Sequence, residues 1–356
     1  MTLENNLKQK NIITGEAGSF YNYLSKGCKL CREGAKMVLF VTGKCCNSCF
    51  YCPLSEERQI EITYANEERV ISDEDIIHQA KIMDALGTGI TGGEPLIAED
   101  KVIHYIELLK SHMGSSHHIH LYTSLAPDKK TLEKLASAGL DEIRFHPPPE
   151  KWKSLKETGF IGSIEQAASM NISAGIEVPS IMGIADIVDT INEMEIFLNI
   201  NELEFSDTNA SNLYNAGYML RDDISNAAAE SEEIAKNIAH KCSRIHFCSS
   251  KYKDAIQLRK RLIRIAGNTS RIFDEVTEDG TIVHGVVTHR NISELIIALK
   301  QIRVPEEMYQ VKDNCIDIAW WVLDDISEHL KEAGSDIKII ERYPWDRGLI
   351  VETIPI

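Results

Sequence analysis

The sequence predicts an α/β protein: parallel βαβ units, in an open sheet or a barrel, followed by a small α+β domain. Three observations carry this. Between residues 36 and 267 short apolar runs alternate with helical stretches, the rhythm of parallel strands joined by crossover helices. Polar residues with chemistry to offer, Cys45, Glu94, Thr123, His146, Glu177 and Asp207, fall at the C-terminal ends of the strands, the edge where a barrel assembles its site. Near Asn268 the rhythm stops and hairpin signals take over.

Residues 1–35 read as a lead-in. They begin MTLENNLKQKNIITG, polar and without a signal-peptide apolar region, and hold a short helix near Tyr21 to Leu24 and a C-x2-C knuckle at Cys28 and Cys31. The apolar run 37–41 is the first strand and leads into a loop with four cysteines in eight residues. Residues 56–68 are polar and expected to be irregular, covering the cysteine loop. Ser72 followed by Asp75 is a capping-box signal for a helix to about Ala85. A strand at 89–91 ends in Gly92-Gly93-Glu94-Pro95. Helices are expected over 99–110, 127–138, 163–170, 187–198 and 227–241. Strands are expected over 118–123, 142–146, 175–178, 202–205 and 244–247, with a last basic helix over 251–266. The second domain, 268–356, opens with a hairpin, 273–276 and 281–287, turning at Asp279-Gly280. Helices at 292–302 and 313–331 follow, the second with Ile316, Ala319, Trp320 and Leu323 on one buried face. A closing hairpin, 337–343 and 349–354, turns at Trp345-Asp346-Arg347-Gly348.

Composition bounds the function. Hydrophobic residues are 43% and charged residues 26%, as in ordinary globular proteins. No apolar run approaches the roughly 18 residues of a membrane helix, so the expectation is a cytoplasmic protein without membrane contact. In a reducing compartment nine cysteines serve as metal ligands sooner than as disulfides. A net charge of −16 argues against indiscriminate nucleic-acid binding, though not against a local basic patch.

Cys45, Cys49 and Cys52 read C-x3-C-x2-C. Crowded thiolates repel unless a metal neutralises them, and an ordinary iron–sulfur cubane takes four cysteines. Three would leave one iron open to a ligand that is not protein. Cys46, Cys49 and Cys52 offer a ferredoxin-like C-x2-C-x2-C instead, and a structural zinc knuckle is the plainer alternative.

The C-x3-C-x2-C with Tyr51 before its third cysteine, followed one βα unit later by Gly92-Gly93-Glu94-Pro95, resembles the radical S-adenosylmethionine superfamily. Tyr122-Thr123-Ser124 and Asp141-Glu142-Ile143-Arg144 fall where family members carry their third and fourth strands. The resemblance covers roughly residues 36–210, and the whole chain is most similar to an archaeal group related to pyruvate formate-lyase activating enzymes. It implies a partial (β/α)6-type TIM barrel and a [4Fe-4S] cluster on Cys45, Cys49 and Cys52. The methionine amino and carboxylate groups of S-adenosylmethionine would chelate the open iron. Gly92, Gly93, Glu94 and Pro95 would bind the amino group and Tyr51 would lie near the adenine. Thr123, Ser124 and Val178 are candidates for further contacts. Reductive cleavage would give a 5′-deoxyadenosyl radical that takes hydrogen from the substrate, the electron coming from a reductant such as ferredoxin or flavodoxin. The family spacing prefers Cys45 and leaves Cys46 as a packed thiol.

Four further thiols, Cys28, Cys31, Cys242 and Cys248, are enough for a second metal: zinc, one iron or a second Fe–S cluster. His240 and His246 are alternative ligands, and unrelated buried thiols the bland reading. Cys315, Trp320 and Trp321 read as domain core, and His112, His117, His118 and His120 as loop and surface residues. His146, Glu177, Asp207 and Asn209 are within reach of the pocket. Lys251, Lys253, Arg259, Lys260, Arg261, Arg264 and Arg271 read as a solvated helix face before they read as an RNA contact. The expected function is a radical enzyme modifying a peptide, a protein or a tRNA. A glycyl-radical-enzyme activase is one alternative. A non-catalytic iron–sulfur or zinc-binding interaction protein is the other, and the intact Glu94 and three cysteines count against it.

Overall fold

The computed structural model describes residues 11–345 and 348–356. Expectations for residues 1–10, and for Asp346 and Arg347 of the closing turn, lie outside the described residues. The chain divides into two compact units, Met1–Lys81 with Ala85–Gln257, and Ile82–Asp84 with Leu258–Ile356. The sequence reading opens its second domain at 268, whereas these units part at 257.

In the first unit seven parallel strands neighbour one another in chain order: β1 (Lys36–Phe40), β2 (Gly87–Thr91), β3 (His118–Thr123), β4 (Glu142–Phe145), β5 (Ser173–Pro179), β6 (Phe197–Asn201) and β7 (Ile245–Cys248). Helix α1 (Lys26–Arg32) precedes β1. The crossovers carry α2 (Asp73–Ile82), α3 (Glu99–Met113), α4 (Lys129–Ala138), α5 (Gly159–Ser169), α6 (Val188–Glu193), a short α7 (Ala210–Asn215) and α8 (Ser231–Ala239). Unbroken sequential order is that of a β/α barrel. The sheet stays open: the two-residue strands Ile13–Thr14 and Phe20–Tyr21 continue it past β7, and Tyr64–Ala65 and Glu68–Arg69 past β1. This is the partial barrel the resemblance implies, with seven parallel strands.

Local signals explain the helix ends. Asp75 Oδ2 accepts from the amides of Ile71 (2.7 Å) and Ser72 (2.8 Å), fixing the start of α2. Asp128 caps α4 at Thr131 N, and Gly139, at φ 105°, ends it in a left-handed turn.

The two faces of the sheet differ. On the helix side Leu39, Ile90, Leu121 and Ile143 follow one another across β1 to β4 and are fully buried. On the other side the corresponding rows are polar: His120 opposite Glu142, Tyr122 opposite Arg144, and Glu177 opposite Asn199 opposite His246. Helix α1 lies against this polar face, touching β1, β2 and β3. A Cβ on Gly27 would stand 2.5 Å from Arg144 Nη2 and 2.6 Å from His120 Nδ1.

Several expectations are corrected. Phe20–Tyr21 is a strand, not a helix, and Cys28 and Cys31 stand on α1, not in a knuckle. Residues 187–198 do not form one helix: Glu195, at φ 53°, breaks the chain and β6 begins at Phe197, so 202–205 is not a strand. Residues 56–68 contain half of a small hairpin. His118 and His120 are buried because β3 turns them inward, and His117, just ahead of β3, is buried against Thr88 and Ala85; of the four only His112 is exposed.

The second unit is an antiparallel sheet. In spatial order it runs β9 (Tyr309–Val311), β10 (Ile316–Ile318), β8 (Ile282–Thr288), β11 (Asp336–Arg342) and β12 (Ile350–Pro355), with Glu275–Val276 paired to β8. Helices α9 (Leu258–Thr269), α10 (Ile292–Gln301) and α11 (Trp320–Glu332) complete it, and Leu295, Leu299, Leu323 and Leu330 pack with Val287, Ile316 and Ile318. Ile316 therefore lies on a strand, since Asp317 points the other way to pair with Arg271 (2.6 Å). Cys315, read as helical core, is half-buried ahead of β10, and Trp321 is 37% exposed. No helix among the described residues is long and apolar enough to cross a membrane.

Candidate active site

β1 delivers the chain into the cysteine loop, and the end of β2 is bonded to that loop's first residues. Gly93 N donates to Thr42 O (2.8 Å) and Glu94 N to Lys44 O (2.8 Å). Side chains would not fit here. A Cβ on Gly92 would lie 2.4 Å from Thr42 O, and one on Gly93 2.5 Å from Lys44 O and 2.6 Å from Gly43 O. Both glycines are required by close backbone approach. Two motifs far apart in sequence thus form one continuous piece of main chain.

Glu94 fastens this piece to β3. It is fully buried. Its Oε1 accepts from Leu96 N (3.0 Å) and Thr123 Oγ1 (2.8 Å), and its Oε2 from Ser124 N and Ser124 Oγ (both 2.6 Å). Four donors saturate a carboxylate. Asn47, inside the cysteine loop, donates from Nδ2 to Ser124 Oγ (2.7 Å), so the loop is tied to the same carboxylate at second hand. Pro95 opens the short turn Pro95–Ala98 that Glu94 caps.

Tyr51 points inward and is 8% exposed. Its hydroxyl lies 2.8 Å from His146 Nε2, and His146 Nδ1 lies 2.7 Å from Glu177 O. A carbonyl only accepts, so Nδ1 carries the proton and Nε2 accepts from Tyr51. Burial agrees, holding His146 below the usual histidine range, and burial with the nearby Cys49 pushes the Tyr51 hydroxyl up. Asn209 Nδ2 donates to Tyr51 O (3.0 Å). These two partners of Tyr51 were legible only as polar residues near strand ends.

The thiols of this loop are partly covered: Cys45 and Cys46 are exposed, Cys49 and Cys52 half-buried. Burial raises the Cys45 thiol, with Cys46, Glu94 and Cys52 adding to it. Burial also raises that of Cys49, with Cys52 and Cys45 adding. These thiols lie close enough for the charge of one to disfavour ionisation of another, a repulsion that a bound cation would relieve. A cavity of about 400 Å³ lies beside them, lined by Cys52, Pro53, Leu54, Ser55, Arg58 and Gly92. Both features fit a cluster and a small cofactor. Among the described residues no three His, Cys, Asp or Glu side chains stand at metal-holding distance from one another.

Of the other candidates, Val178 is fully buried beside Ile200 on the apolar face. Glu177 lies on the polar face, where burial raises its carboxyl but Arg144, Asn201, Lys36 and Asn199 together bring it down to about 2. Asp207 is exposed. Cys28 accepts a bond from Arg144 Nη2 (3.6 Å). Burial raises its thiol, but Arg144 and then His246 bring it down to about 7. Burial raises Cys31 and Cys248, and the charges of Cys31 and Cys28 bear on Cys248. Cys242 stands apart: it precedes β7, its carbonyl accepts from Asn22 Nδ2 (2.9 Å), and burial raises its thiol to about 11.

Residues 39–160 match the family model described as Radical SAM superfamily, and residues 280–356 one described as a domain of unknown function (DUF8061). A Methanocaldococcus jannaschii protein provisionally named a glycyl-radical enzyme activating enzyme is 35% identical over 352 residues, 94% of each chain. A solved structure described as native anSMEcpe with bound AdoMet and Cp18Cys peptide is similar over 46% of this chain and 49% of its own. Its TM-score is 0.34 and its identity 15%. The protein is an enzyme whose cofactors are a [4Fe-4S] cluster and S-adenosylmethionine. The chain belongs to the radical S-adenosylmethionine superfamily, in the group related to pyruvate formate-lyase activating enzymes.

Proposed function

We propose that Cys45, Cys49 and Cys52 hold the cluster, that S-adenosylmethionine sits along Gly92–Pro95, and that the enzyme takes a hydrogen atom from a peptide or protein. The observation that carries this is the main-chain bonding of Gly93 and Glu94 to Thr42 and Lys44, which fixes the cysteine loop against the glycine segment. When bound, the cofactors supply a 5′-deoxyadenosyl radical, formed with one electron from a reductant such as ferredoxin or flavodoxin. The chain positions them. Glu94 is saturated by Leu96, Thr123 and Ser124, so main-chain carbonyls of the segment remain as acceptors for the methionine ammonium. Tyr51, held by His146, is a fixed wall for the adenine, and the cleft beside Gly92 and Arg58 offers the space for the cofactor.

A protein substrate is favoured over tRNA by the state of the basic segment. Lys253 pairs with Glu204, Arg264 with Asp84 (2.7 Å), and Arg271 with Asp274 (2.8 Å) and Asp317 (2.6 Å). Cations already paired add little to a phosphate-binding surface. The name of the M. jannaschii relative favours a second reading within this class, activation of a glycyl-radical enzyme. The test is anaerobic reconstitution followed by assay of 5′-deoxyadenosine with reductant, alone, with peptide fractions and with bulk tRNA. Stimulation by peptide supports the proposal. Stimulation by tRNA alone overturns the substrate, and no 5′-deoxyadenosine under any condition overturns the site assignment.

A further inference from the structure

We propose that the polar interior of the barrel holds a second metal ion, of the zinc class, on Cys28, Cys31, Cys248 and His246. The residues come from the two ends of the sheet path, and a chain of contacts brings them to one layer. Helix α1 is fastened to β4 by Ser25 Oγ and Gly27 N, which donate to Glu142 (2.9 and 3.2 Å). This sets Cys28 Sγ 3.6 Å from Arg144 Nη2. Arg144 Nη1 donates to Glu177 (2.7 Å), and Glu177 accepts from Asn199 (3.0 Å) and Asn201 (2.8 Å). Asn199 is in register with His246 and Asn201 with Cys248. His246 and Cys248, two residues apart on β7, share the face that α1 covers. Cys31 is one turn along α1 from Cys28, and Cys248 lies within electrostatic range of both.

The independent sign of a ligand is His246 itself. It is 4% exposed, and neither ring nitrogen makes a hydrogen bond of good geometry. A buried imidazole held by nothing better than a loose hydrogen bond to the Cys28 thiol is under-satisfied, and a metal ion between the two is what imidazole and thiolate bind most readily. Three thiolates and an imidazole suit zinc, fill a tetrahedron and leave no open position, so the ion is structural and fixes α1 inside the barrel. Binding displaces the thiol protons, and the positive charges of Arg144 and Lys36 favour the thiolate forms of Cys28 and Cys31. The thiols must turn inward to meet the ion, as must those of Cys45, Cys49 and Cys52 to meet theirs. Cys242 is not a ligand. It lies ahead of the first residue of β7, where Asn22 holds its carbonyl, while Cys248 is the last residue of that strand.

The experiment is zinc analysis and cobalt substitution of the full chain carrying Cys45→Ala, Cys49→Ala and Cys52→Ala, which removes the cluster ligands without touching the barrel interior. The expected result is one equivalent of zinc and, with cobalt, a thiolate charge-transfer band with tetrahedral d–d absorption. Adding His246→Ala or Cys248→Ala lowers metal affinity at least ~10-fold, as loss of even an outer partner does, while Cys242→Ala changes nothing. No bound zinc together with no thiolate–cobalt band in the parent overturns the proposal whatever the variants do. So does loss of metal in Cys242→Ala with full retention in His246→Ala.

Discussion

Replacing Gly93 by alanine tests the central geometry of the active site. The new methyl would meet Lys44 O at 2.5 Å, Gly43 O at 2.6 Å and Lys44 C at 2.8 Å, all backbone atoms that no rotamer can move aside. Relief requires the two segments to part, which breaks Gly93 N to Thr42 O and Glu94 N to Lys44 O. Two such bonds are worth about 1 kcal/mol each, and overpacking adds about 1–3 kcal/mol. The positioned loop is therefore disfavoured by about 3–5 kcal/mol, a factor of ~100 or more, while the strands beneath are untouched. The assay has three parts on anaerobically reconstituted protein: iron and sulfide content, the reduced-cluster EPR signal with and without S-adenosylmethionine, and the rate of 5′-deoxyadenosine formation. Gly93→Ala is expected to lose the S-adenosylmethionine-dependent signal and at least ~100-fold in rate. Gly162→Ala is the control. No atom lies within 4 Å of its Cβ position on α5, so it should leave activity alone and stabilise the helix by about 0.5–1 kcal/mol. A Gly93→Ala enzyme with full iron, the wild-type signal and the wild-type rate would refute the claim that this contact positions the cofactor.

Two further outcomes follow from the same structure. Cys45→Ala should lose the labile cluster and Cys46→Ala keep it, measured as iron and sulfide per chain, because the charge of Cys45 bears on Cys49 and Cys45 shares the vicinity of Glu94; the opposite pattern would transfer the ligand role to Cys46. Stability should fall on mild acidification. Burial lowers His117 to about 4, so the folded chain keeps it neutral while the unfolded chain protonates it near 6.5. Its contribution is fully present above pH 6.5 and is lost as pH falls towards 4, roughly 2 kcal/mol between pH 7 and pH 5. Urea unfolding at the two pH values should show that loss and His117→Gln should reduce it; an identical pH slope in the variant would count against the assignment.

The site was legible where the chemistry is local. C-x3-C-x2-C and Gly-Gly-Glu-Pro each sit at a strand end, and their residue types follow from ligand softness and from backbone contact, both visible without coordinates. What the sequence concealed has one cause. Polar residues normally face water, so His118 and His120 read as surface, and Asn199 and Asn201 made β6 look unlike a strand. In the fold they line the inside of the barrel. The same assumption moved the sixth strand to 202–205, where Leu203 and Phe205 alternate as convincingly as Leu198 and Ile200. In the second unit Ile316, Ala319, Trp320 and Leu323 satisfy a helical period, yet the buried Asp317 between two isoleucines marks a three-residue strand before α11 begins. Cys242 and Cys248 flank the strand expected at 244–247 and so read as a pair, yet one stands before the first residue of β7 and the other is its last.

Arg144 is 1% exposed and bonded at once to Glu142, Glu177, Tyr122 and Ser25. No single replacement preserves that arrangement. Shortening the arginine strands two carboxylates, and neutralising either carboxylate weakens what holds the arginine. Losing one partner of a buried ion pair costs about 3–5 kcal/mol, a large share of the 5–15 kcal/mol that typically keeps a domain folded. Evolution through this region should therefore proceed by joint exchange of several positions, so that descendants either inherit the whole set or have replaced it together.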